Sequence, residues 1–325
     1  MIAKSAIEAQ DQYKALGARD TRVAILLSTY NGAAFLREQL DSLIGQTYGN
    51  WVIHASDDGS SDETLEILRT YQKELGTDRL VIWEGPRRGF SSNFLSLLKR
   101  PSLDAAFFAY CDQDDVWAPN KLEQAMLWCQ RIPQNRPALY CSRTQLIDEA
   151  GRPIGLSPLF RAAPTFRNAL VQSIAGGNTM LFNVATRNLL MKTRDSDPII
   201  SHDWWTYLVV SGCGGIIEYD AKPSIGYRQH GKNLIGSNAS FTDRLRRLRK
   251  MMAGTFKAWN DANLRAMTAI QPCLNDDSQQ ALVLFAQARQ SNLFKRMILI
   301  LRSGVYRQTL LGNLGLIAAA ILQRL

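Results

Sequence analysis

The sequence predicts an α/β fold: a mostly parallel sheet flanked by helices, with a C-terminal helical appendage. Three observations carry this. Apolar runs and amphipathic segments alternate four times over roughly the first 130 residues. The runs are continuously apolar, as strands covered on both faces must be. Each run also ends in a polar, turn-forming cluster, and in such sheets ligands bind outside the carboxyl ends of the strands.

The elements follow in order. Residues 1 to 20 are polar and alanine-rich, read as an N-terminal arm with neither a signal peptide's apolar core nor an anchor. Arg22 to Ser28 is the first strand, ending at Thr29-Tyr30-Asn31-Gly32 and followed by an amphipathic helix from Phe35 to Ile44. Trp51 to Ala55 is the second, running into Ser56-Asp57-Asp58-Gly59-Ser60-Ser61-Asp62, with Ser61 or Asp62 placed to cap a helix from about Glu63. Arg79 to Trp83 is the third, leading through Arg87-Arg88-Gly89 to a helix over Ser92 to Lys99. Phe107 to Cys111 is the fourth, and it opens directly onto Asp112, Asp114 and Asp115.

Three carboxylates at the end of an apolar strand repel one another and lose solvation, so they need open water or a cation. An isolated D-x-D also serves as a solvated turn, and Asp57 and Asp58 alone as turn formers. Oxygen ligands favour Mg²⁺ or Mn²⁺ over zinc, with substrate phosphate completing the shell. Thr29, Asn31, Asp57, Asp58, Arg88, Asn93, Asp112 and Asp114 lie at strand ends or just beyond them, and they converge on one crevice. A base-pairing carboxylate, an arginine and a D-x-D suit a nucleoside diphosphate. No G-x-x-x-x-G-K-[ST] or G-x-G-x-x-G is present, so phosphate is not held on a glycine-rich loop.

The net charge of +9 admits phosphorylated substrates, an anionic membrane surface or nucleic acid. Nucleic acid is excluded as a partner because the basic groups interleave with aliphatic residues instead of stacking aromatics. Five dispersed cysteines and three histidines form no zinc-ligand spacing and read as reduced residues of a cytoplasmic protein.

VAILLSTYNGAAFLREQLDSLIGQTY, ASDDGSSDET and YCDQDDVWAPNKL together resemble the nucleotide-binding half of the family 2 glycosyltransferases, which have the GT-A fold. The resemblance implies that Thr29 and Tyr30 line the nucleoside pocket and Asp57 contacts the base, with Gln113 among the donor-binding residues. It implies that Asp112 and Asp114 are the metal-binding pair, supported by Asp115, and that Trp117 and Pro119 are structural. A GT-A domain is expected over residues 21–235, its nucleotide-binding half over 21–130 and its acceptor-binding half over 131–235.

In that second half, Gly176-Gly177-Asn178 precedes an apolar strand, so the backbone can approach a ligand there or merely turn. His202-Asp203-Trp204-Trp205 opens an apolar helix. Asp203 there is either a helix cap or a carboxylate beside a sugar, with the indoles, His202, Gly177 and Asn178 around the sugar and acceptor. In related transferases the general base lies at this position, which assigns that role to Asp203. The turn Tyr227 to Asn233 offers Arg228 to a leaving diphosphate and His230 as a nitrogen ligand to the metal. HDWW and YRQHGKNLIG resemble a rhamnosyltransferase-like branch of the family.

Residues 236–325 read as a basic amphipathic tail. Arg244, Arg246, Arg247, Arg249 and Lys250 alternate with Leu245, Leu248, Met251 and Met252, and Phe294 to Leu325 repeats the pattern. Such helices either lie on an anionic membrane or pack on the domain. The expected protein is an inverting, metal-dependent transferase. It takes dTDP-rhamnose or another nucleotide sugar as donor and a glycan or lipid-linked oligosaccharide as acceptor, working peripherally on the inner face of the plasma membrane. A sugar nucleotidyltransferase and a non-catalytic nucleotide-sugar or glycan-binding module are the alternatives.

Overall fold

The computed structural model describes residues 21–231 and 254–325. The N-terminal arm, Lys232, Asn233 and the basic segment from Arg244 to Met252 lie outside the described residues.

The four expected units appear in order: β1 (Val23–Thr29), α1 (Leu36–Ile44), β2 (Trp51–Asp57), α2 (Thr64–Leu75), β3 (Leu80–Glu84), α3 (Phe90–Leu98) and β4 (Phe107–Cys111). There follow β5 (Val116–Trp117), α4 (Lys121–Cys129), β6 (Ala138–Ser142), β7 (Gln145–Ile147), β8 (Pro153–Leu156) and α5 (Phe166–Ala169). A 3₁₀ turn at Gly177–Thr179 leads into β9 (Leu181–Asn183), α6 (Val184–Leu190), α7 (His202–Gly212), β10 (Ile216–Asp220) and β11 (Ile225–Arg228). The chain ends in α8 (Thr255–Met267), α9 (Asp276–Gln290), α10 (Leu293–Ser303) and α11 (Leu310–Ile321).

The main sheet has seven strands in the order β10-β6-β9-β4-β1-β2-β3. All neighbours pair in parallel except β9, which runs antiparallel to both β4 and β6. A second sheet, β5-β11-β7-β8, lies beyond the carboxyl end of β4.

Why the strands are apolar at every position is visible in the packing. On β1 and β4, Val23, Ile25, Leu27, Phe107, Ala109 and Cys111 enter one core with α1, α2 and α4. The alternate residues Ala24, Leu26, Phe108 and Tyr110 enter the other, with α3, α5, α7 and the C-terminal helices. Side chains of a strand point alternately to opposite faces, so covering both faces demands an unbroken apolar run.

Helix α7 lies in the second core and is buried nearly all round, from Trp204 through Val210. A helix apolar on every side is a core helix. Ala266, Phe285, Ile300 and Ala320 of α8 to α11 belong to the same core. The C-terminal helices thus pack on the sheet domain instead of standing apart from it.

Candidate active site

The site is assembled where β1, β2 and β4 end. Much of the polar chemistry there fastens the loops to one another. Asp57 accepts hydrogen bonds from the Thr29 hydroxyl (3.0 Å) and from the backbone N–H groups of Gly59 (3.1 Å) and Ser60 (2.8 Å). Asp58 accepts from Arg87 and Gly89 N–H at 2.6 and 2.7 Å, which closes the loop before α3. Asn31 adopts a left-handed backbone (φ 48°), and its side chain accepts the Ser61 N–H at 2.8 Å. Gly32 N–H donates to Thr64 (2.8 Å) and Ala33 N–H to Asp62 (3.1 Å). The two turns are therefore one rigid cradle, built from the short side chains that turns favour.

Gln113 joins this cradle to the acidic loop. Its amide accepts the Tyr30 N–H at 2.8 Å and donates to the Tyr30 carbonyl at 3.0 Å. Gly32 leaves room for it, because a Cβ at that position would sit 2.2 Å from Gln113 Oε1. The Tyr30 ring stays 58% exposed above the crevice, and Arg88 is also exposed. Asn93 is corrected from donor ligand to internal brace. It is fully buried, its Nδ2 donates to Ser28 and to the Ser56 carbonyl, and its Oδ1 accepts from Ser56.

Of the three strand-end carboxylates, Asp115 is fully buried and pinned by Asn178 Nδ2 (2.5 Å) and by the Arg228 N–H (3.1 Å). Asp112 and Asp114 are half-buried, and Asp114 Oδ2 lies 2.8 Å from His230 Nε2. Burial raises the Asp112 carboxyl well above the usual range, and the charges of Asp115, Asp114 and Asp203 raise it further. Asp115 is raised by burial and by Asp114, against the lowering effect of its hydrogen bonds. Tyr110 of β4 meets the first turns of α7, its hydroxyl 3.1 Å from that of Thr206 and its ring 4.5 Å from the His202 ring, so α7 starts beside this crevice. Asp203 Oδ1 accepts from the Ser201 hydroxyl (2.5 Å) and from its neighbour's N–H, Trp204 (2.6 Å).

Among the described residues no group of three or more His, Cys, Asp or Glu side chains is placed to hold a metal ion by itself. Asp112, Asp114 and His230 form an open set at most, one that a diphosphate would complete. A divalent cation suits it electrostatically, because the mutual repulsion felt at Asp112 is what such a charge relieves.

Burial corrects the expectations for Arg228, Trp204, Trp205, His202, Gly177 and Asn178. The Arg228 side chain is fully buried, and its guanidinium donates to the Asp114 (3.0 Å), Asp148 (3.3 Å) and Glu149 (2.7 Å) carbonyls and to Glu38 (2.5 Å). With no exposed surface, it holds the acidic loop in place instead of facing solvent. Trp204 and Trp205 are core residues, donating to the Ala169 carbonyl and the Thr193 hydroxyl at 2.7 and 2.8 Å, so neither offers a face to a sugar. His202 is buried against Phe94, with ring centroids 3.9 Å apart, and its burial lowers its pKa to about 4. Gly177 is required there, since a Cβ would come within 2.2 Å of His202 Nε2, and Asn178 anchors Asp115.

Glu38 and Phe35 were not legible as parts of this site. Phe35 lies under both the Arg228 guanidinium (4.8 Å) and the His230 ring (5.1 Å). Their positions on or before α1 carry an ordinary helix pattern, and only the fold brings them under the acidic loop.

A parallel sheet with one reversed strand, an acidic loop at the end of β4 and a carboxylate at the start of α7 define a GT-A, nucleotide-sugar-dependent glycosyltransferase. The chain belongs to glycosyl transferase family 2, whose family model matches residues 24–189. It is a rhamnosyltransferase-like member, 27% identical over 260 residues to the dTDP-rhamnosyl transferase RfbG of Shigella flexneri, a match covering 78% of this chain and 86% of that protein. It is also 32% identical over 106 residues to the UDP-Glc:alpha-D-GlcNAc-diphosphoundecaprenol beta-1,3-glucosyltransferase WfgD of Escherichia coli, covering 32% of this chain and 39% of that one. Among solved structures, residues 1–349 of S. aureus TarS in complex with UDP share the fold, with a TM-score of 0.53 and 14% identity over 83% of this chain and 72% of that one.

Proposed function

We propose that the chain transfers L-rhamnose, with inversion, from dTDP-rhamnose to a hydroxyl of a growing bacterial surface polysaccharide carried on a lipid at the inner face of the plasma membrane. The observation that carries this reading is that the start of α7, which bears Asp203, packs against Tyr110 at the end of β4, directly before Asp112 and Asp114. Similarity to the Shigella protein supports the donor, and similarity to WfgD supports a lipid-linked acceptor.

Tyr30 and Arg88 are the exposed groups beside the cradle, suited to stacking on the base and to meeting the donor's negative charge. Asp112 and Asp114, with His230, would hold Mg²⁺ or Mn²⁺. When bound, the ion supplies Lewis acidity for the departing nucleoside diphosphate. Asp203 is the base. Two donors hold its Oδ1, which leaves Oδ2 to take the acceptor hydroxyl's proton as that oxygen attacks the anomeric carbon.

Calorimetric titration with dTDP, UDP and GDP, each with Mn²⁺ and with EDTA, tests the donor site. One nucleotide should bind in a metal-dependent manner, and dTDP is expected. Asp203→Asn should keep that binding and lose about 10² to 10⁴ in turnover, whereas Asp114→Ala should lose the metal-dependent binding too. Normal turnover by the Asn variant would remove Asp203 as the base.

A further inference from the structure

Helices α10 and α11 wear their apolar residues on the outside. On α10, Phe294, Ile298 and Leu301 are 82%, 46% and 77% exposed, at the i, i+4, i+7 spacing of one helix face. On α11, Leu310, Leu314, Ile317 and Ile321 follow the same period and are 77%, 54%, 43% and 50% exposed, with Leu311 beside them at 66%. Scattered exposed leucines are ordinary, but two neighbouring helices with apolar outer faces are not.

These faces are not left over from poor packing. Each helix also has a properly buried side, Leu299 and Ile300 on α10 and Leu316, Ala319 and Ala320 on α11. Buried Arg296 ties the two together by donating to the Ala320 carbonyl (2.9 Å) and the Ser291 carbonyl (2.5 Å). The pair is thus a fixed unit with one side docked and the other offered.

Charge identifies what the outer side is offered to. From Ser278 to Leu325 the sequence contains no Asp or Glu, yet it has Arg289, Lys295, Arg296, Arg302, Arg307 and Arg324. Lys295, Arg302 and Arg324 are exposed on or beside these helices. A second copy pairing this face with itself by a two-fold axis would bring its cations together with no carboxylate on the two helices to offset them. Aliphatic side chains edged with cations and free of carboxylates complement an anionic lipid surface, where the apolar groups enter the headgroup boundary and the cations meet phosphates.

The length of the helices sets the mode of contact. No helix among the described residues is long and apolar enough to cross a membrane. α11, the most apolar, has 12 residues, and at roughly 1.5 Å per residue it falls far short of a hydrocarbon core of about 30 Å. We infer that the outer faces of α10 and α11 are a docking surface that lies on an anionic lipid bilayer without spanning it. This rests on the lipid-linked acceptor reading above and specifies which surface meets the membrane.

Sedimentation of the full chain with vesicles tests it. The protein should pellet with vesicles of phosphatidylcholine containing about 30% phosphatidylglycerol, much less with phosphatidylcholine alone, and less at high salt, as mixed apolar and electrostatic binding requires. The quadruple variant Phe294→Ser, Leu301→Ser, Leu310→Ser, Leu311→Ser changes only exposed side chains and should bind anionic vesicles about tenfold or more weakly. Its calorimetric dTDP binding should match that of the unaltered chain. Absence of vesicle binding by the unaltered chain, or equal binding by the variant, overturns the inference. So does a stable dimer in sedimentation equilibrium that the same substitutions dissolve, because a second copy is then the occupant. Vesicle binding without any nucleotide binding would leave the surface standing and remove the donor reading instead.

Discussion

At the scale of single residues, Arg228 shows how a site can depend on a charge that never touches its ligand. Its guanidinium is fully buried, and its backbone and side chain together hold Asp115, the Asp114 carbonyl and the turn at Asp148 and Glu149. Replacing it leaves those carbonyls without their common donor and leaves a gap where the buried guanidinium stood. Arg228→Met should therefore cost about 3 kcal/mol or more in denaturant unfolding and should weaken metal-dependent nucleotide binding in whatever remains folded. Its charge partner Glu38 is 53% exposed, so water replaces the lost contact there. Glu38→Gln should cost less than about 1 kcal/mol and leave nucleotide binding in place. Equal losses for the two variants would show that the ion pair, and not the carbonyl network, holds the loop.

At the scale of elements, much of the nucleotide half was legible because its signals are local. Phe107–Cys111 occupies the same residues in sequence and structure, and β1 differs from its expected span by one residue at each end. Continuous apolar runs and turn clusters are read without knowing what they pack against. The acceptor half was less legible because its residues change meaning with burial. The indoles of HDWW look like sugar platforms in isolation, yet the same helix continues as Thr-Tyr-Leu-Val-Val, apolar on every side, and that pattern already places Trp204 and Trp205 in a core. No sequence signal marks Gly177 as the seat of His202, since only the folded chain brings the 3₁₀ turn against α7. The contact makes a sharp prediction. Gly177→Ala sets a methyl against a ring already held by Phe94 and Tyr110, so the turn must shift, and with it Asn178 and its hold on Asp115. Thermal melting should show a loss of about 1 to 3 kcal/mol, the usual cost of overpacking a core. Nucleotide affinity should fall with it. Gly231→Ala, where a Cβ meets nothing within 4 Å, is the control expected to melt like the unaltered chain.

At the scale of the whole molecule, the two cores meet across one sheet, so local ionisation is felt as global stability. His54 on β2 and His202 on α7 are both buried, and burial lowers each to about 4 from 6.5, with Arg187 and Arg22 adding to the effect at His54. In the unfolded chain both take up protons near pH 6.5, whereas in the fold they remain neutral until about pH 4. Between those values the unfolded state binds more protons, so stability contributed by the neutral rings is complete above pH 6.5 and is lost as pH falls towards 4. The loss approaches about 3 kcal/mol per histidine at the acid end, from roughly 1.4 kcal/mol for each pH unit between the two pKa values. Asp112 and Asp115 act in the opposite direction. Their folded pKa values are raised, so acidification favours the folded state through them, and the net curve alone cannot identify the histidines. A difference can. Urea unfolding of the unaltered chain and of His54→Gln, His202→Gln, run from pH 7 to pH 4.5, should give curves that converge on acidification, because only the unaltered chain loses the neutral-ring contribution. The neutral-pH cost of the substitutions shifts the variant's curve without changing its slope. Parallel curves across that range would mean that the buried imidazoles protonate as readily in the fold as out of it, and that the core around α7 admits water.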